Sequence, residues 1–312
     1  MRRALVIVAV LVGLVGPALA PAATGERTPR CFGAPSRDPD KPCVNARLRT
    51  MVVPTPQAAR SASNSPCREV EPVEPPFPCT FGAKPRPGRE TIALIGDSHA
   101  IHWRGAVDQM ARTKGWAGIS LTSSGCPLTT APLAQENRRN RCRRVVEEIV
   151  DWLGRHRGVT RVFVSDHGTR VVQEPGEDAA QAMVRGFRGA WRRLPPWIHE
   201  IAVIRDAPWS SGSVAGCVEQ AMARRADAGQ ACALPRSRAL RRDPQFEAVA
   251  GFTERRVLGL DLTHVMCDET RCFPVIGGAL VHKDLGHLTA VFAATMGPQL
   301  LRALRRAEHD LR

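Results

Sequence analysis

The chain has 312 residues, 43% of them hydrophobic, and carries a formal net charge of +14. This length and apolar content exclude a disordered chain and leave room for one large domain or two small ones. The charge does not favour nucleic-acid binding, because the basic residues are almost all arginines, which are scattered and lack interleaved aromatic residues.

The N-terminus has the pattern of a secretory signal peptide. Two arginines precede an apolar run over residues 4–20, and small residues end that run. Residues 20–22 fit the small-x-small cleavage rule, so we expect residues 1–22 to be removed. An uncleaved N-terminal anchor is the alternative, although the run is short for a membrane span. The remainder of the chain is then expected to be secreted or to lie at the exterior of the cell envelope.

Ten cysteines lie beyond this segment, and an even number in an exported chain indicates disulfides. They fall into couples close in sequence, each closing a short loop rich in Pro, Gly, Ser or Arg. Sequence alone leaves the connectivity open, but this spacing favours five neighbouring pairs: Cys31–Cys43, Cys67–Cys79, Cys126–Cys142, Cys217–Cys232 and Cys267–Cys272. No Cys-x-x-Cys occurs, and the histidines are not placed beside cysteines at ligand spacing, so neither a metal nor a cofactor is predicted.

Residues 23–90 are rich in proline and contain four cysteines. Little helical or strand periodicity is present, and the stretch 71–78 (EPVEPPFP) cannot form a helix. We expect an irregular, disulfide-stapled segment that packs on the main domain. That main, catalytic domain is predicted to comprise residues 91–312.

From residue 91 onward, apolar runs alternate with amphipathic segments. The apolar runs predict five buried strands, at residues 91–95, 117–121, 159–164, 201–204 and 257–262. The amphipathic segments predict five helices, at residues 102–113, 142–156, 178–194, 245–255 and 289–306. Such alternation favours βαβ units and a parallel sheet covered on both faces, with functional groups at the carboxyl ends of the strands.

Ser98 is the first candidate for chemistry. Gly96-Asp97-Ser98 follows the first predicted strand, where a serine is exposed at the sheet edge and its own N–H, at a helix N-terminus, can help to bind an oxyanion. The alternative is that Asp97 and Ser98 form an ordinary helix N-cap.

Asp284 and His287 are the candidate partners of this serine, whose hydroxyl reacts only when a base takes its proton. They lie three residues apart before the last helix, which can place the carboxylate at Nδ1 and leave Nε2 free to face the serine. Alternatively, Asp284 or Thr289 is a capping residue and His287 a surface histidine. The two motifs together, at the first strand and before the last helix, favour a triad.

These motifs resemble the SGNH (GDSL-type) hydrolases and, more closely, the exported SGNH domains fused to bacterial membrane O-acyltransferases. The likeness extends from residue 31 to the last helix and rests on residues 31–34 (CFGA), 93–103 (ALIGDSHAIHW), 124–127 (SGCP) and 284–289 (DLGHLT). It implies an α/β fold, a flavodoxin-like α/β/α sandwich, with a Ser–His–Asp triad acting in acyl transfer to or from sugar hydroxyls.

The resemblance also implies an oxyanion hole completed by a Gly in block II and an Asn in block III. Gly125 fits the first position. At the end of the third strand, residues 164–168 (VSDHG) contain no Asn, so His167 could donate a hydrogen bond instead. Asp206, after the fourth strand, is expected either to contact substrate or to cap a loop.

The function expected from these observations is that of an O-acyltransferase acting on a cell-surface glycan through an acyl-serine at Ser98. This chain contains no membrane acyltransferase domain, so a separate membrane protein would supply the acyl group. One alternative is an esterase with the same triad, which removes O-acetyl groups from glycans or acylated small molecules. Another is a non-catalytic glycan-binding module that kept the fold. No nucleic-acid partner is expected.

Overall fold

The computed structural model describes residues 28–168, 171–173 and 175–310. The expected signal peptide, and the anchor that is its alternative, therefore lie outside the described residues. Within the described ranges, no helix combines the length and the apolar character needed to span a membrane.

Strands and helices alternate through most of the described chain. The strands are β1 Arg68–Glu69, β2 Cys79–Gly82, β3 Thr91–Gly96, β4 Ala117–Thr122, β5 Val159–Ser165, β6 Glu200–Ile204, β7 Leu234–Pro235, β8 Arg256–Leu260, β9 Arg271–Cys272, β10 Val275–Ile276 and β11 Ala279–Leu280. The α-helices are α1 Pro56–Ser61, α2 Ser98–Lys114, α3 Glu136–Arg155, α4 Ala179–Arg193, α5 Val214–Ala223, α6 Ala228–Ala231, α7 Arg236–Ala239, α8 Pro244–Glu247, α9 Thr263–Met266, α10 Ala290–Thr295 and α11 Gly297–Asp310. Two 3₁₀-helices, Ala34–Arg37 and Ala46–Leu48, precede α1.

A seven-stranded sheet in the order β1-β2-β4-β3-β5-β6-β8 forms the centre of the fold. The five strands from β3 to β8 in this sheet run parallel. Numbered along the chain, these five have the order 2-1-3-4-5, which is the flavodoxin-like arrangement. The predicted fold class is therefore confirmed, and all five predicted strands are present.

The two faces of the sheet carry separate hydrophobic cores. Alternate residues of β3 point to opposite faces, so Ile92 and Leu94 pack with residues of α2, α10 and α11. Ala93 and Ile95 pack on the other side, with residues of α3 and α4. Helices thus cover both faces and leave the carboxyl edge of the parallel strands to the loops.

Two predicted helices differ from the structure. The helix expected over 245–255 is only the four-residue α8, because turns follow it and Gly251 adopts a positive φ of 74°. The helix expected over 289–306 is divided into α10 and α11. The division falls beside Gly297, which packs so closely on α2 that a Cβ there would lie 2.5 Å from Gln109 Cβ. Pro298 follows, and it has no N–H to donate a helical hydrogen bond.

The segment before β3 is mostly irregular, but it also extends the main sheet. Strand β2 pairs antiparallel with β4, and β1 pairs antiparallel with β2. Further back, the Ala34 N–H donates to Thr295 Oγ1 at 3.0 Å, and the buried Asp38 pairs with Arg302. This segment therefore packs on the sheet edge and on the C-terminal helices.

Five disulfides occur between cysteines that are neighbours in sequence, and the described residues contain no free cysteine. The bonded pairs are Cys31–Cys43, Cys67–Cys79, Cys126–Cys142, Cys217–Cys232 and Cys267–Cys272.

Candidate active site

Ser98 lies at the first position of α2, directly after the tight turn that follows β3. Asp97 is the N-cap of the helix, and its carboxylate accepts the N–H of His99 at 2.8 Å. Gly96 has a φ of 142°, and a Cβ there would lie 2.3 Å from the Ser165 carbonyl oxygen. The turn consequently requires glycine. Asp97 is the helix N-cap, and Ser98, which follows it, is half-buried at the sheet edge, so the capping role and the position of the serine are compatible.

A buried carboxylate holds this turn against the neighbouring strand. Asp166, at the end of β5, accepts the N–H of Asp97 at 2.9 Å and the N–H of Leu128 at 3.2 Å. Gln245 completes the network, since its side-chain oxygen accepts the Asp166 N–H at 3.0 Å and its amide donates to the Asp166 carboxylate. Burial, and then the charge of Asp97, raise the pKa of Asp166 well above its usual range.

The structure brings Ser98, His287 and Asp284 into one hydrogen-bonded chain. His287 Nε2 lies 2.8 Å from Ser98 Oγ. His287 Nδ1 lies 2.8 Å from Asp284 Oδ2 and 3.0 Å from Oδ1. The spacing is that of a charge-relay triad, in which the carboxylate fixes the imidazole tautomer and Nε2 faces the hydroxyl.

Asp284 is held in the orientation that this chain requires. Its Oδ1 accepts the backbone N–H groups of Gly286 at 3.0 Å and His287 at 2.8 Å. Burial raises the pKa of Asp284, but the hydrogen bonds from the His287 ring and from these two N–H groups outweigh burial and lower the pKa below its usual range. The carboxylate is therefore charged at neutral pH.

Two backbone N–H groups are candidates for binding an oxyanion. The Ser98 N–H is at the first position of α2, where it has no partner within the helix. The loop with Gly125 starts next to the Gly96 turn, because the Ser123 N–H donates to the Gly96 carbonyl at 3.0 Å. Gly125 has a positive φ of 71°, and in the part of the chain that the structure describes its N–H forms no hydrogen bond.

His167 occupies the strand end where the resemblance implies an Asn. Its backbone N–H donates to the Asp97 carboxylate, and its ring stacks on that of His99 with centroids 4.8 Å apart. Burial, followed by the nearby charge of His99, lowers the pKa of His167 to about 4. The ring is thus neutral at neutral pH and retains one N–H donor.

Asp206 forms a partly buried ion pair next to the triad. Its Oδ1 lies 2.6 Å from His99 Nδ1, and the His99 ring centroid is 5.0 Å from that of His287. Burial lowers the pKa of His99, but the charges of Asp206, Asp97 and Asp166, with the hydrogen bond from Asp206, raise it to about 9. Asp206 also accepts the Ala207 N–H, so it caps its own loop as well.

His99, His102 and Asp206 are the group of described residues that could hold a metal ion, since their ligand atoms lie within 4.8 Å of one another. Two members of this group, His99 and Asp206, are already hydrogen-bonded to each other. His102 is 2% exposed, and neither ring nitrogen has a partner among the described residues. Burial lowers the pKa of His102 well below its usual range and keeps the ring neutral.

A cavity of about 110 Å³ opens beside His167 and Asp206. Trp209 separates it from the His287 loop. The Trp209 ring is 5.1 Å from the His167 ring, and a Cβ on Gly286 would lie 3.4 Å from it. Sequence reasoning missed Trp209, because it belongs to no recognisable motif and reaches the site only through the fold.

The sheet order, with a serine after the first parallel strand and a histidine–aspartate pair before the C-terminal helices, defines a three-layer α/β protein with a triad of the serine-hydrolase type. Residues 66–302 match the profile of the family described as SGNH domain (fused to AT3 domains), and the chain belongs to this family.

No curated protein sequence matches the chain. Among solved structures, the chain is similar to the periplasmic domain of the lipopolysaccharide acetyltransferase from Salmonella ser. Paratyphi A. The two are 13% identical with a TM-score of 0.49, over 71% of this chain and 84% of that chain.

Proposed function

We propose that this chain is an exported enzyme that transfers O-acyl groups on cell-surface glycans, as an O-acyltransferase with Ser98 as nucleophile. The observation that carries the proposal is the unbroken hydrogen-bonded chain from Asp284 through His287 to Ser98 Oγ. Membership of a family of SGNH domains fused to AT3 domains supports it, and a separate membrane protein would present the acyl donor. Five disulfides support an oxidising compartment outside the cytoplasm.

The chemistry follows from the hydrogen bonds. Ser98 Oγ attacks the carbonyl carbon of the acyl ester while its proton passes to His287 Nε2, and charged Asp284 stabilises the imidazolium at Nδ1. The N–H groups of Ser98 and Gly125 donate to the oxyanion. Collapse expels the donor alcohol, which takes the proton from His287, and leaves an acyl-serine.

The second half repeats these steps with the acceptor. A sugar hydroxyl gives its proton to His287 and attacks the acyl-serine carbonyl. Collapse of this second tetrahedral intermediate returns the proton to Ser98 Oγ, and the acylated sugar leaves.

One observation favours esterase activity as a second candidate function. The side chains of His287 and Asp284 are 30% and 48% exposed, so water reaches the base. Where no sugar is bound, water can take the place of the acceptor hydroxyl, and the products are then a carboxylate and free Ser98.

The test is to incubate the mature protein with p-nitrophenyl acetate, alone and with acceptor glycans, beside Ser98→Ala. We expect Ser98-dependent release of p-nitrophenol and transfer of acetyl to the glycan. Release without transfer would support the esterase. Equal rates for wild type and Ser98→Ala would overturn the nucleophile assignment and leave a glycan-binding module.

A further inference from the structure

The cavity beside the triad is walled by arginines and by one aromatic ring. Arg205, Arg241 and Arg242 line it together with Trp209 and His167. Whether it can attract a charged ligand depends on which of these cations lack a carboxylate partner.

Two of the three arginines already have carboxylate partners. Arg205 pairs with Asp261 at 2.8 Å. Arg242 pairs with Asp178 at 3.0 Å and with Glu247 at 2.8 Å. Neither of these guanidinium groups needs a ligand to balance its charge.

Arg241 differs from both. In the described part of the chain it forms neither an ion pair nor a hydrogen bond, and its guanidinium carbon lies 3.9 Å from the centre of the Trp209 ring. Stacking on an aromatic face fixes the plane of a guanidinium while its N–H groups, which lie in that plane, stay free to donate. Arg241 is thus oriented but lacks an anion.

The carboxylates in the cavity wall are occupied. Asp206 is paired with His99. Asp243 accepts the N–H groups of Asp206 at 2.8 Å and Phe246 at 3.0 Å, one on each oxygen. Burial, and then the charge of Asp206, raise the pKa of Asp243 to about 6. Arg241 is therefore the cation of the cavity wall that has no carboxylate partner among the described residues.

This cavity also lies close to residues that contact the triad. His167, on its wall, is stacked on His99, the residue after the nucleophile. Trp209 contacts the loop of the base, since the N–H of the following residue, Ser210, donates to the Leu285 carbonyl at 2.8 Å. A saccharide with one hydroxyl at Ser98 can therefore extend a substituent past Trp209 and His167 toward Arg241.

We infer that the cavity between His167, Trp209 and Arg241 is a substrate subsite for an anionic group of the saccharide, so that the enzyme acts on acidic sugars. Arg241 binds a carboxylate or phosphate through its N–H groups, in the bidentate geometry that guanidinium favours. This inference names the substrate class for the proposed function and rests on it for the reaction, but the binding itself does not need Ser98.

The test is a set of dissociation constants measured in a Ser98→Ala background, so that no turnover intervenes. The probes are methyl β-D-glucuronide, methyl β-D-glucoside and glucose 6-phosphate. We expect the glucuronide or the phosphate to bind at least about tenfold more tightly than the glucoside, as one charge-assisted pair would produce. The stronger of the two anionic probes identifies the substituent as carboxylate or phosphate.

Arg241→Gln should abolish this preference by weakening the anionic probe about tenfold while leaving the glucoside unchanged. Arg157→Gln is the matched control, because Arg157 is also exposed and stacked, 4.8 Å above the Trp197 ring, but precedes the amino end of β5. The Arg157→Gln variant should bind all three probes as the Ser98→Ala protein does. Equal binding of charged and neutral probes, or an Arg241→Gln variant that keeps the preference, would overturn the inference.

Failure of the reaction and failure of the subsite give different results. If Ser98 is not the nucleophile, the p-nitrophenyl acetate assay is insensitive to Ser98→Ala, yet the binding preference still depends on Arg241. If Arg241 does not bind an anionic group, hydrolysis of p-nitrophenyl acetate still depends on Ser98, and Arg241→Gln does not change the binding of any probe.

Discussion

At the scale of single residues, the site is a cluster of imidazoles whose charges are set by their neighbours. His99 is paired with Asp206 and keeps a pKa of about 9, whereas His167, stacked on it, has a pKa of about 4. His287 lies between Ser98 and Asp284 in the same cluster. The charged His99 thus lies beside the neutral ring of His167, and the carboxylate of Asp206 stabilises the charge on His99.

Asp206→Asn should remove the negative charge that does most to raise the pKa of His99. Burial lowers the pKa of His99 and only the more distant Asp97 and Asp166 would oppose it, so we expect its pKa to fall well below 9. A histidine NMR titration measures this change. Asp261→Asn, which loses only the partly exposed pair with Arg205, should leave the His99 titration as in wild type.

The burial of His102 should make the free energy of unfolding depend on pH in a specific way. Its pKa is lowered in the folded state, so below about pH 6.5 the unfolded chain binds one more proton than the folded chain, and the free energy of unfolding falls as pH falls. The basic groups that face it, His99, His282, Lys283 and His287, lower its pKa further, in the same direction as burial.

His102→Gln should remove this contribution. Relative to the variant, wild type should lose up to about 1.4 kcal/mol per pH unit between pH 6 and 5, as measured by urea denaturation. His309→Gln, at a highly exposed histidine, should give a profile parallel to wild type. A parallel profile for His102→Gln would show that His102 is not held neutral.

At the scale of elements, the turn between β3 and α2 positions Ser98 and depends on the glycine at position 96. Gly96→Ala combines a φ of 142° with a contact of 2.3 Å to the Ser165 carbonyl. We expect a loss of at least about 2 kcal/mol in the free energy of unfolding, together with loss of activity as Ser98 moves.

Gly154→Ala is the control for this change. Gly154 lies in α3 with an ordinary φ, and a methyl group added there would have nothing within 4 Å, so alanine should be neutral or stabilise the helix by up to about 1 kcal/mol. Equal effects of the two substitutions in denaturant unfolding would contradict the role given to the turn.

The parallel strands were predictable because residues such as Leu94 and Val203 are buried on both faces of the sheet and form apolar runs in the sequence. Strand β2 was not, since it joins the sheet through backbone pairing with β4 and has no apolar run of its own. The prediction of a long helix from residue 245 was wrong, because it relied on amphipathic spacing and gave too little weight to Gly251. The positive φ of Gly251 is incompatible with a continuing helix.

The same contrast holds at the site. Ser98, Asp284 and His287 stand in short local motifs at predictable ends of elements, so the sequence predicts them. Pairs such as His99 with Asp206 join positions 107 residues apart, and their meeting depends on which strands are neighbours. Composition and periodicity carry no information on that pairing.

At the scale of the whole molecule, the residues before β1 are part of the fold and not an appendage. The loop closed by Cys31–Cys43 contains Ala34, bonded to Thr295 of α10, and Asp38, paired with Arg302 of α11. It therefore covers the C-terminal helices that follow the Asp284–His287 loop.

Replacing both Cys31 and Cys43 by serine should lower the free energy of unfolding by roughly 2–3 kcal/mol, because the unfolded chain gains the freedom of that loop. Activity at low temperature should persist, since the bond lies outside the hydrogen-bonded chain at Ser98. Calorimetric melting of the double variant measures the effect, and an unchanged melting temperature would show that the loop is held by its other contacts alone.

The two ends of the Ser98–His287 hydrogen bond are 189 residues apart in the chain. A polypeptide emerging from its N-terminus therefore presents Ser98 early and His287 late, after every parallel strand of the sheet has appeared. Until that last loop emerges, the serine has no base. The hydrogen-bonded chain at Ser98 therefore cannot form until synthesis of the domain is nearly complete.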